Sequence, residues 1–577
     1  MTSQIYKIII NNRNYDEGSW SVSPSNLVEG FVLAPLDAKL FSGDSFSYDS
    51  INGLTIVESD IRMKTEIPAV LIIAGNKTYG RHPTNNKLLY KCVPDDISLP
   101  PFLVPYEIKN MGFSKVFVNL FVTIKFASWD NKHPFGTLTQ VIGPVDVCES
   151  FYEYQLYCKN LNTSLTKFNK ACNKSLQDNK ETFVSNVTDK GIIEDRTDWQ
   201  VFTIDPQGSL DFDDAFSIKT LDNGNTLVSI YIANVVVCLE RLNLWSELTK
   251  RTSTIYLPDK KRSMLPIILS DCLCSLQADA PRYAFTLDLE IDAFGTIVEK
   301  RFINCIIKVF KNFAYEERSL LRHPLYKCLL NVVTNLVTKY PYIKLINDSH
   351  DVVCYLMILM NHLSAKEMLG YNMGIFRSAV INEVESNPFT FSSLEPSDDV
   401  NQFIKIWRGS NCKYIDIATN TDLVPLVKHD ILELDAYIHI TSPIRRLVDI
   451  LNMIKFQECA NLYKLSDAAL NFYNVWSKDI DFINTTMKMT RRVQNDCNLL
   501  GMCNNNPEIL EKSFDGYCFD ETTMDNGFYK YNVYLPDLKI TLNIVSDKTL
   551  SYEKRQFKLF VFNNEEKMKK KIRLHLL

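Results

Sequence analysis

Four aspartates, Asp205, Asp211, Asp213 and Asp214, fall within ten residues of the stretch Ile204-Asp205-Pro206-Gln207-Gly208-Ser209-Leu210-Asp211-Phe212-Asp213-Asp214-Ala215. Two unit charges about 4 Å apart repel by roughly 4 kcal/mol at an effective dielectric near 20. A divalent cation relieves that repulsion, and all-oxygen ligation suits Mg2+ or Mn2+, the ions that clamp phosphates. A solvated acidic turn or a structural Ca2+ loop is the alternative, although the segment lacks the acid spacing and central glycine of an EF-hand. The preceding run Trp199-Gln200-Val201-Phe202-Thr203 has strand composition, and Pro206-Gln207-Gly208-Ser209 reads as the loop that closes it. On an extended backbone Asp211 and Asp213 share a face, whereas Asp214 points away unless the chain bends.

A second stretch carries the opposite charge. In Thr441-Ser442-Pro443-Ile444-Arg445-Arg446, Ser442 fits a helix N-cap and Pro443 the first helical position, which predicts a helix running to about Glu458. Two arginines in a first turn oppose the helix dipole by some tenths of a kcal/mol each. They suit that place if a phosphate docks on the free N–H groups of the helix start. Salt bridges to acids elsewhere are the other reading.

These residues need a scaffold. With 577 residues the chain exceeds one ordinary domain, and 46% hydrophobic with 23% charged residues is a globular composition. No apolar run of about 18 residues or more is present, which argues against a membrane span. The N-terminus lacks the basic start and apolar stretch of a signal peptide, and 15 scattered cysteines with no Cys-x-x-Cys pair suit reduced thiols. An intracellular, cytoplasmic protein is the expectation. The net charge of −5 supplies no global basic footprint, so a nucleic-acid groove would have to be local.

Short strand-like runs occupy 1–65, among them Tyr6–Ile10, Val28–Leu33 and Gly53–Val57. Over 66–146 the pattern is clearer, and the alternation within Lys115–Ala127 predicts a half-buried strand in a barrel of oligonucleotide-binding type. Tyr79, Arg81, His82 and Trp129 stand where such a barrel stacks bases, or else form its aromatic core. Residues 147–190 read as a connector that starts with a helix. Strands over Thr226–Val237 and Phe285–Ile291 precede a helix over Asp351–Leu369, which Gly370 stops, and β character returns over 506–577 with a basic patch from Lys567 to Arg573.

Taken in order, these segments closely resemble the RNB family of exoribonucleases. The family pattern of an Asp, then Asp-x-Asp-Asp-Ala, is met by Asp205, Asp211, Asp213, Asp214 and Ala215. Arg251-Thr252-Ser253-Thr254-Ile255-Tyr256-Leu257-Pro258-Asp259, Met264-Leu265-Pro266, Leu273-Cys274-Ser275-Leu276, Phe313-Ala314-Tyr315, Leu359-Met360-Asn361 and His439 to Arg446 with Asp449 follow in the family's order. The resemblance implies an α+β multidomain chain. Cold-shock-like OB β-barrels would occupy 1–65 and 66–146, a mixed α/β RNB catalytic domain 191–505, and an S1-like OB β-barrel 506–577.

It also implies a processive 3′→5′ exoribonuclease that hydrolyses single-stranded RNA to nucleoside 5′-monophosphates. In that reading Asp205, Asp211, Asp213 and Asp214 hold one or two Mg2+ ions (Mn2+ being the substitute), and Asp213 is the acid whose loss stops chemistry. Arg445 and Arg446 grip phosphates, Tyr256 stacks on terminal bases with Phe376 on the opposite side, and Arg377 and Ser442 complete the RNA contacts. A monomer with no membrane association and no exosome-like assembly is the expected state. The alternative is a catalytically silent RNA-binding regulator on the same fold. Three departures from the family concern the groove: Tyr231-Ile232-Ala233-Asn234 stands where His-Ile-Ala-Asp is common, Ser378 follows Arg377 where a His is usual, and Leu447 follows the arginines where Tyr is frequent.

Overall fold

The computed structural model describes residues 4–25, 33–49, 53–108, 117–178, 193–380, 412–418, 421–550 and 554–577, with isolated positions between 397 and 407. Most of the expected Val28–Leu33 strand, residues 115–116 of Lys115–Ala127 and the end of the connector, 179–190, lie outside the described residues.

The first strands are β1 (Ile5–Ile10), β2 (Trp20–Ser23), β3 (Ser45–Asp49) and β4 (Gly53–Glu58), in the sheet order β2-β1-β3-β4. In β1 Tyr6, Ile8 and Ile10 are buried and their neighbours exposed, the period-2 signature of a one-sided sheet. The barrel expected over 1–65 is thus a four-stranded sheet among the described residues, with no closing ladder.

Next come β5 (Ile67–Leu71), β6 (Leu89–Pro94), β7 (Phe102–Pro105), β8 (Leu120–Ser128) and β9 (Phe135–Pro144), which close into a barrel in the order β5-β6-β7-β9-β8. The alternation expected in β8 fails from Phe121 to Ile124, where every residue is buried. The reason is the helix Cys148–Cys158 on the outer face, whose Tyr154 ring stacks on Phe121 at 4.2 Å. Trp129 is core as well, packed 4.7 Å from Phe41, so it is not a base-stacking platform.

Five strands form the next barrel: β10 (Ile193–Asp205), β11 (Asp214–Thr220), β12 (Thr226–Ala233), β15 (Pro281–Ile291) and β16 (Ile297–Ala314), with the short pairs β13 (Ile255–Tyr256) with β14 (Lys261–Arg262) and β17 (Ile375–Ser378) with β18 (Lys413–Asp416) beside it in sequence. β10 runs parallel to β16 and the remaining neighbours are antiparallel. Val228–Ala233 is buried without a break, the mark of a strand covered on both faces. Asn234 then caps the helix Val235–Arg241 by accepting from the Val237 N–H at 3.1 Å, and donates to Asn304 at 2.8 Å. Tyr231 packs its hydroxyl 2.8 Å from Ser217 inside the barrel. Both altered residues of the Tyr231–Asn234 departure therefore have local structural partners.

The helix Ser349–Gly370 is long and apolar enough to cross a membrane by length and composition, but 61% of its apolar window is buried inside the protein. Val352, Leu356, Leu359 and Met360 lie in the core, which accounts for the composition. Helices Leu447–Cys459, Asp467–Ser477 and Ile480–Asn505 follow.

The last strands, β19 (Ser513–Thr523), β20 (Tyr529–Leu535), β21 (Ile540–Ser546), β22 (Lys554–Asn564) and β23 (Lys569–Leu576), form a five-stranded antiparallel sheet in the order β21-β20-β19-β22-β23. Among the described residues no hydrogen-bond ladder joins β21 to β23 in the stretch where an S1-like barrel is expected. The architecture is multidomain and mixed α/β, with barrel-like sheets on either side of the central barrel in sequence. The chain divides into two compact units, one of residues 1–162, 257–259 and 492–577 and the other of 163–256 and 260–491. Every residue of the acid segment belongs to the second.

Candidate functional site

The acid segment is built by the end of one strand and the start of the next. Asp205 is the last residue of β10, and its carbonyl accepts from the Tyr315 N–H at 2.9 Å. Gly208, at φ 83°, lets the chain reverse through Pro206–Ser209, where Ser209 N–H donates to Pro206 O at 3.1 Å. Leu210–Asp213 is irregular and fastened from outside. The Ser275 hydroxyl donates to Leu210 O at 2.8 Å and accepts from Phe212 N–H at 3.0 Å, and Leu276 N–H donates to Phe212 O at 3.0 Å. This is what the Leu273-Cys274-Ser275-Leu276 segment does. Asp214 then opens β11 opposite Ile232.

The four carboxylates meet different fates. Asp211 accepts from Lys261 Nζ at 2.9 Å and faces the Tyr256 hydroxyl at 3.4 Å. Asp213 accepts from Ile444 N–H at 3.0 Å and from Arg445 Nε at 3.0 Å. Among the described residues, Asp205 and Asp214 each keep one buried oxygen, Oδ2, with no hydrogen-bond partner. Asp214 does turn inward: after burial, the nearby charges of Asp205 and Asp213 do most to raise its pKa, which lies well above the ordinary carboxylate value. Burial, with the charges of Asp213 and Asp211 adding to it, pushes Asp205 up to about 7. Burial also pushes Asp213 up to about 6, against the pull of Arg445 and the Ile444 N–H. Buried, partnerless carboxylate oxygens beside like charges are a donor set that suits a hard cation. The residues present therefore fit a divalent ion, with Asp205 and Asp214 as the open ligands.

Among the described residues, the one trio of candidate ligands whose atoms lie within 4.8 Å of one another is Asp348, His350 and Asp351, outside the acid segment. Asp348 there caps the helix Ser349–Gly370 by accepting from Asp351 N–H at 2.8 Å. Asp351 accepts from Asn347 at 2.8 Å, so the trio's carboxylates serve a helix start.

The arginine segment departs from its expected form. The helix begins at Leu447, and Arg446 is its extended N-cap residue, at φ −137° and ψ 127°. Arg445 N–H and Arg446 N–H both donate to Ser442 O, Ile444 N–H to Asp213, and Leu447 N–H to Thr252 O. The N–H groups of residues 444–447, which a helix starting after Ser442 would have left free for an anion, are thus already bonded. Pairing of 252–254 with 445–447 fixes the arginines instead, with Thr254 N–H donating to Arg445 O at 3.0 Å and Ser253 bridging Arg446. Arg445 spans Asp213 and the Ser442 hydroxyl (2.9 Å) and leaves 44% of its side chain exposed. Arg446 donates to Asp449 at 2.8 Å, and the same Asp449 oxygen accepts from Ser442 N–H at 2.7 Å. Asn361 orients the approach to this turn by accepting from Ile440 N–H at 3.0 Å and donating to Thr441 and Tyr437.

Tyr256 is 40% exposed, with its hydroxyl beside Asp211. Phe376 is 0% exposed, pairing in β17 with Ile415 and bridging Ile438, so the structure removes it from any stacking role. Arg377 is half-buried with its guanidinium 4.8 Å from the Tyr414 ring, and Ser442 is buried under Arg445. Sequence reading missed Lys261 altogether. A single lysine in a basic run carries no spacing signal, and only the β13–β14 pairing of Tyr256 with Lys261 brings it to the acids.

Residues 193–323, from β10 through β16, match the family model of the RNB domain. Exosome complex exonuclease RRP44 homolog A of Arabidopsis thaliana is 29% identical over 199 residues, 34% of this chain and 21% of that protein. Ribonuclease R of Thermotoga maritima is 37% identical over 123 residues, 21% of this chain and 17% of that protein. The chain therefore spans about a fifth of the length of these relatives. Among solved structures, Mycoplasma genitalium RNase R in complex with ribose methylated single-stranded RNA shares the fold at a TM-score of 0.65, over 99% of this chain and 100% of that one, at 17% identity. Yeast Ssd1, a pseudonuclease, does so at 0.59, over 96% and 80%, at 13% identity. Residues 193–323 therefore carry a match to the RNB domain along the barrel strands, in a chain whose fold is shared nearly end to end with that RNase R structure.

Proposed function

We propose that the chain is a divalent-metal-dependent 3′→5′ exoribonuclease that removes nucleoside 5′-monophosphates processively from single-stranded RNA. The observation that carries this reading is the division of labour in the acid segment. Asp205 and Asp214 hold buried, unpartnered oxygens, while Asp213 is locked between a backbone N–H and Arg445. Asp205 and Asp214 would hold the ion. Bound there, a divalent cation supplies a water of lowered pKa and offsets charge growing on a phosphate.

The chain's own groups account for the rest. Arg445, fixed by Asp213 and Ser442, presents its exposed guanidinium edge to a phosphate without reorganising. Asp213 keeps that guanidinium in place, so its loss strikes chemistry more than binding. Tyr256 offers a half-exposed ring on which a base near the 3′ end can stack. The other reading, an RNA-binding protein without turnover, has the fold likeness to the pseudonuclease Ssd1 in its favour. Retention of all four acids and both arginines favours activity.

The test incubates 5′-labelled single-stranded RNA, and DNA of the same sequence, with the full chain in Mg2+ and in EDTA. The reading expects full-length RNA to give way directly to a short 5′-labelled end product with few intermediates, confined to RNA with Mg2+, and unlabelled nucleoside 5′-monophosphates detected by chromatography. Tight RNA binding without shortening in Mg2+ would establish the silent regulator instead.

A further inference from the structure

We propose that Lys261 is a built-in cation of the acid site, which holds Asp211 out of the metal's ligand set and stands where a second divalent ion would otherwise be needed. The inference rests on the metal-dependent reading above and deepens it. Lys261 Nζ lies 2.9 Å from Asp211 and 3.0 Å from Asp271, bridging two carboxylates that are themselves largely buried. Its position is set by backbone pairing. Lys261 faces Tyr256 across the β13–β14 ladder, and the Tyr256 hydroxyl turns to the other oxygen of Asp211 at 3.4 Å. Both oxygens of Asp211 thus have partners. Asp271 is held in turn by the Ser270 hydroxyl, at 2.5 Å from the oxygen that receives Lys261.

Along the sequence the four acids look like four equal ligands, but the contacts divide them. Arg445 neutralises Asp213 and Lys261 neutralises Asp211, each through a direct ion pair at 3.0 and 2.9 Å. Asp205 and Asp214 remain, each with a buried oxygen that has no partner among the described residues. Two carboxylate charges match one divalent ion. A second ion at Asp211 would have to displace an ammonium already shared with Asp271, and bring two like-charged centres close together. A fixed ammonium does the electrostatic work of that ion without dissociating. Lys261 is a positioning residue here, acting on Asp211 rather than on substrate.

The measurement is Mn2+ binding to the full chain, followed by titration calorimetry and by the electron paramagnetic resonance of free Mn2+. Wild type should take up one tight ion. Lys261→Met should take up a second, whereas Lys261→Arg should restore a stoichiometry of one. Asp211→Asn should keep the tight ion within about threefold of wild-type affinity, and Asp205→Asn should weaken it by tenfold or more. Circular dichroism of each variant checks that the fold is kept, and the Lys261→Arg and Asp211→Asn arms stand even if Lys261→Met fails to fold. Two tight ions in wild type, or loss of the ion in Asp211→Asn comparable to that in Asp205→Asn, would overturn the role given to Lys261 while leaving metal dependence intact. No tight Mn2+ in wild type would instead overturn the metal-dependent reading itself, and the inference with it.

Discussion

Replacing Asp213 by Asn is expected to make the metal-free protein more stable while abolishing RNA cleavage. Asp213 is 3% exposed, and burial outweighs Arg445 and the Ile444 N–H to lift its pKa from an ordinary value of 3.8 to about 6. Between about pH 4 and 6 the folded state therefore keeps a proton that the unfolded chain has lost. Unfolding free energy falls as pH rises through that window, and above it the full penalty is present. Two pKa units correspond to at most about 3 kcal/mol, so an uncharged Asn should return roughly 1 to 3 kcal/mol at pH 8. At pH 4 the wild-type carboxyl is itself largely neutral and the gain should shrink toward zero. Asn can still accept from the Ile444 N–H through its oxygen, but Ala cannot, so Asp213→Ala should fall below Asp213→Asn by about 1–3 kcal/mol for the stranded amide. Thermal unfolding of the three proteins in EDTA, at pH 4 and pH 8, reads this as a shift of a few degrees. RNA binding by Asp213→Asn should stay near wild type with no product formed. If Asp213→Asn is as destabilised as Asp213→Ala at pH 8, or if its offset is the same at both pH values, the argument from burial is wrong.

The other expectations rest on separate contacts. Arg445→Lys keeps the charge but cannot span both Asp213 and Ser442, so kcat should drop by tenfold or more, with a smaller change in RNA affinity, in single-turnover cleavage. Tyr256→Ala should weaken binding of short RNA by about 1–3 kcal/mol with little change in thermal midpoint, because the ring is half-exposed. Phe376→Ala should do the opposite, costing about 3–5 kcal/mol of stability and leaving the affinity of the folded fraction unchanged, as fluorescence anisotropy can show. His429 is buried, and desolvation with the Arg377 charge lowers its pKa to about 4. Its neutral form is favoured by the fold, so stability present above about pH 6.5 should be lost as pH falls toward 4, by up to about 3 kcal/mol. His429→Gln should flatten that limb of the acid-denaturation curve.

The amino-acid sequence by itself determined the likeness to the RNB domain and the kind of fold. Ordered short segments, from Asp205 to Arg446, are a signature that does not need coordinates, and β-branched runs such as Thr226–Ala233 announce buried strands wherever they pack. It also determined which chemical groups the site could draw on, because charge type is a property of the residue. Only the tertiary structure decided how those groups are used. The helix expected from Ser442 begins at Leu447, since Thr252, Ser442 and Asp213 take up the very N–H groups that a helix start would have left free. Phe376, an aromatic candidate on composition, is sealed in a β ladder, and Trp129 fills a barrel core against Phe41. Above all, four aspartates that look equivalent in a line become two held by Arg445 and Lys261 and two with open oxygens. Lys261 lies 50 residues from Asp211 and Arg445 lies 232 from Asp213. No local pattern encodes pairings over such separations, because they arise where strands and loops from distant parts of the chain are packed around one barrel end.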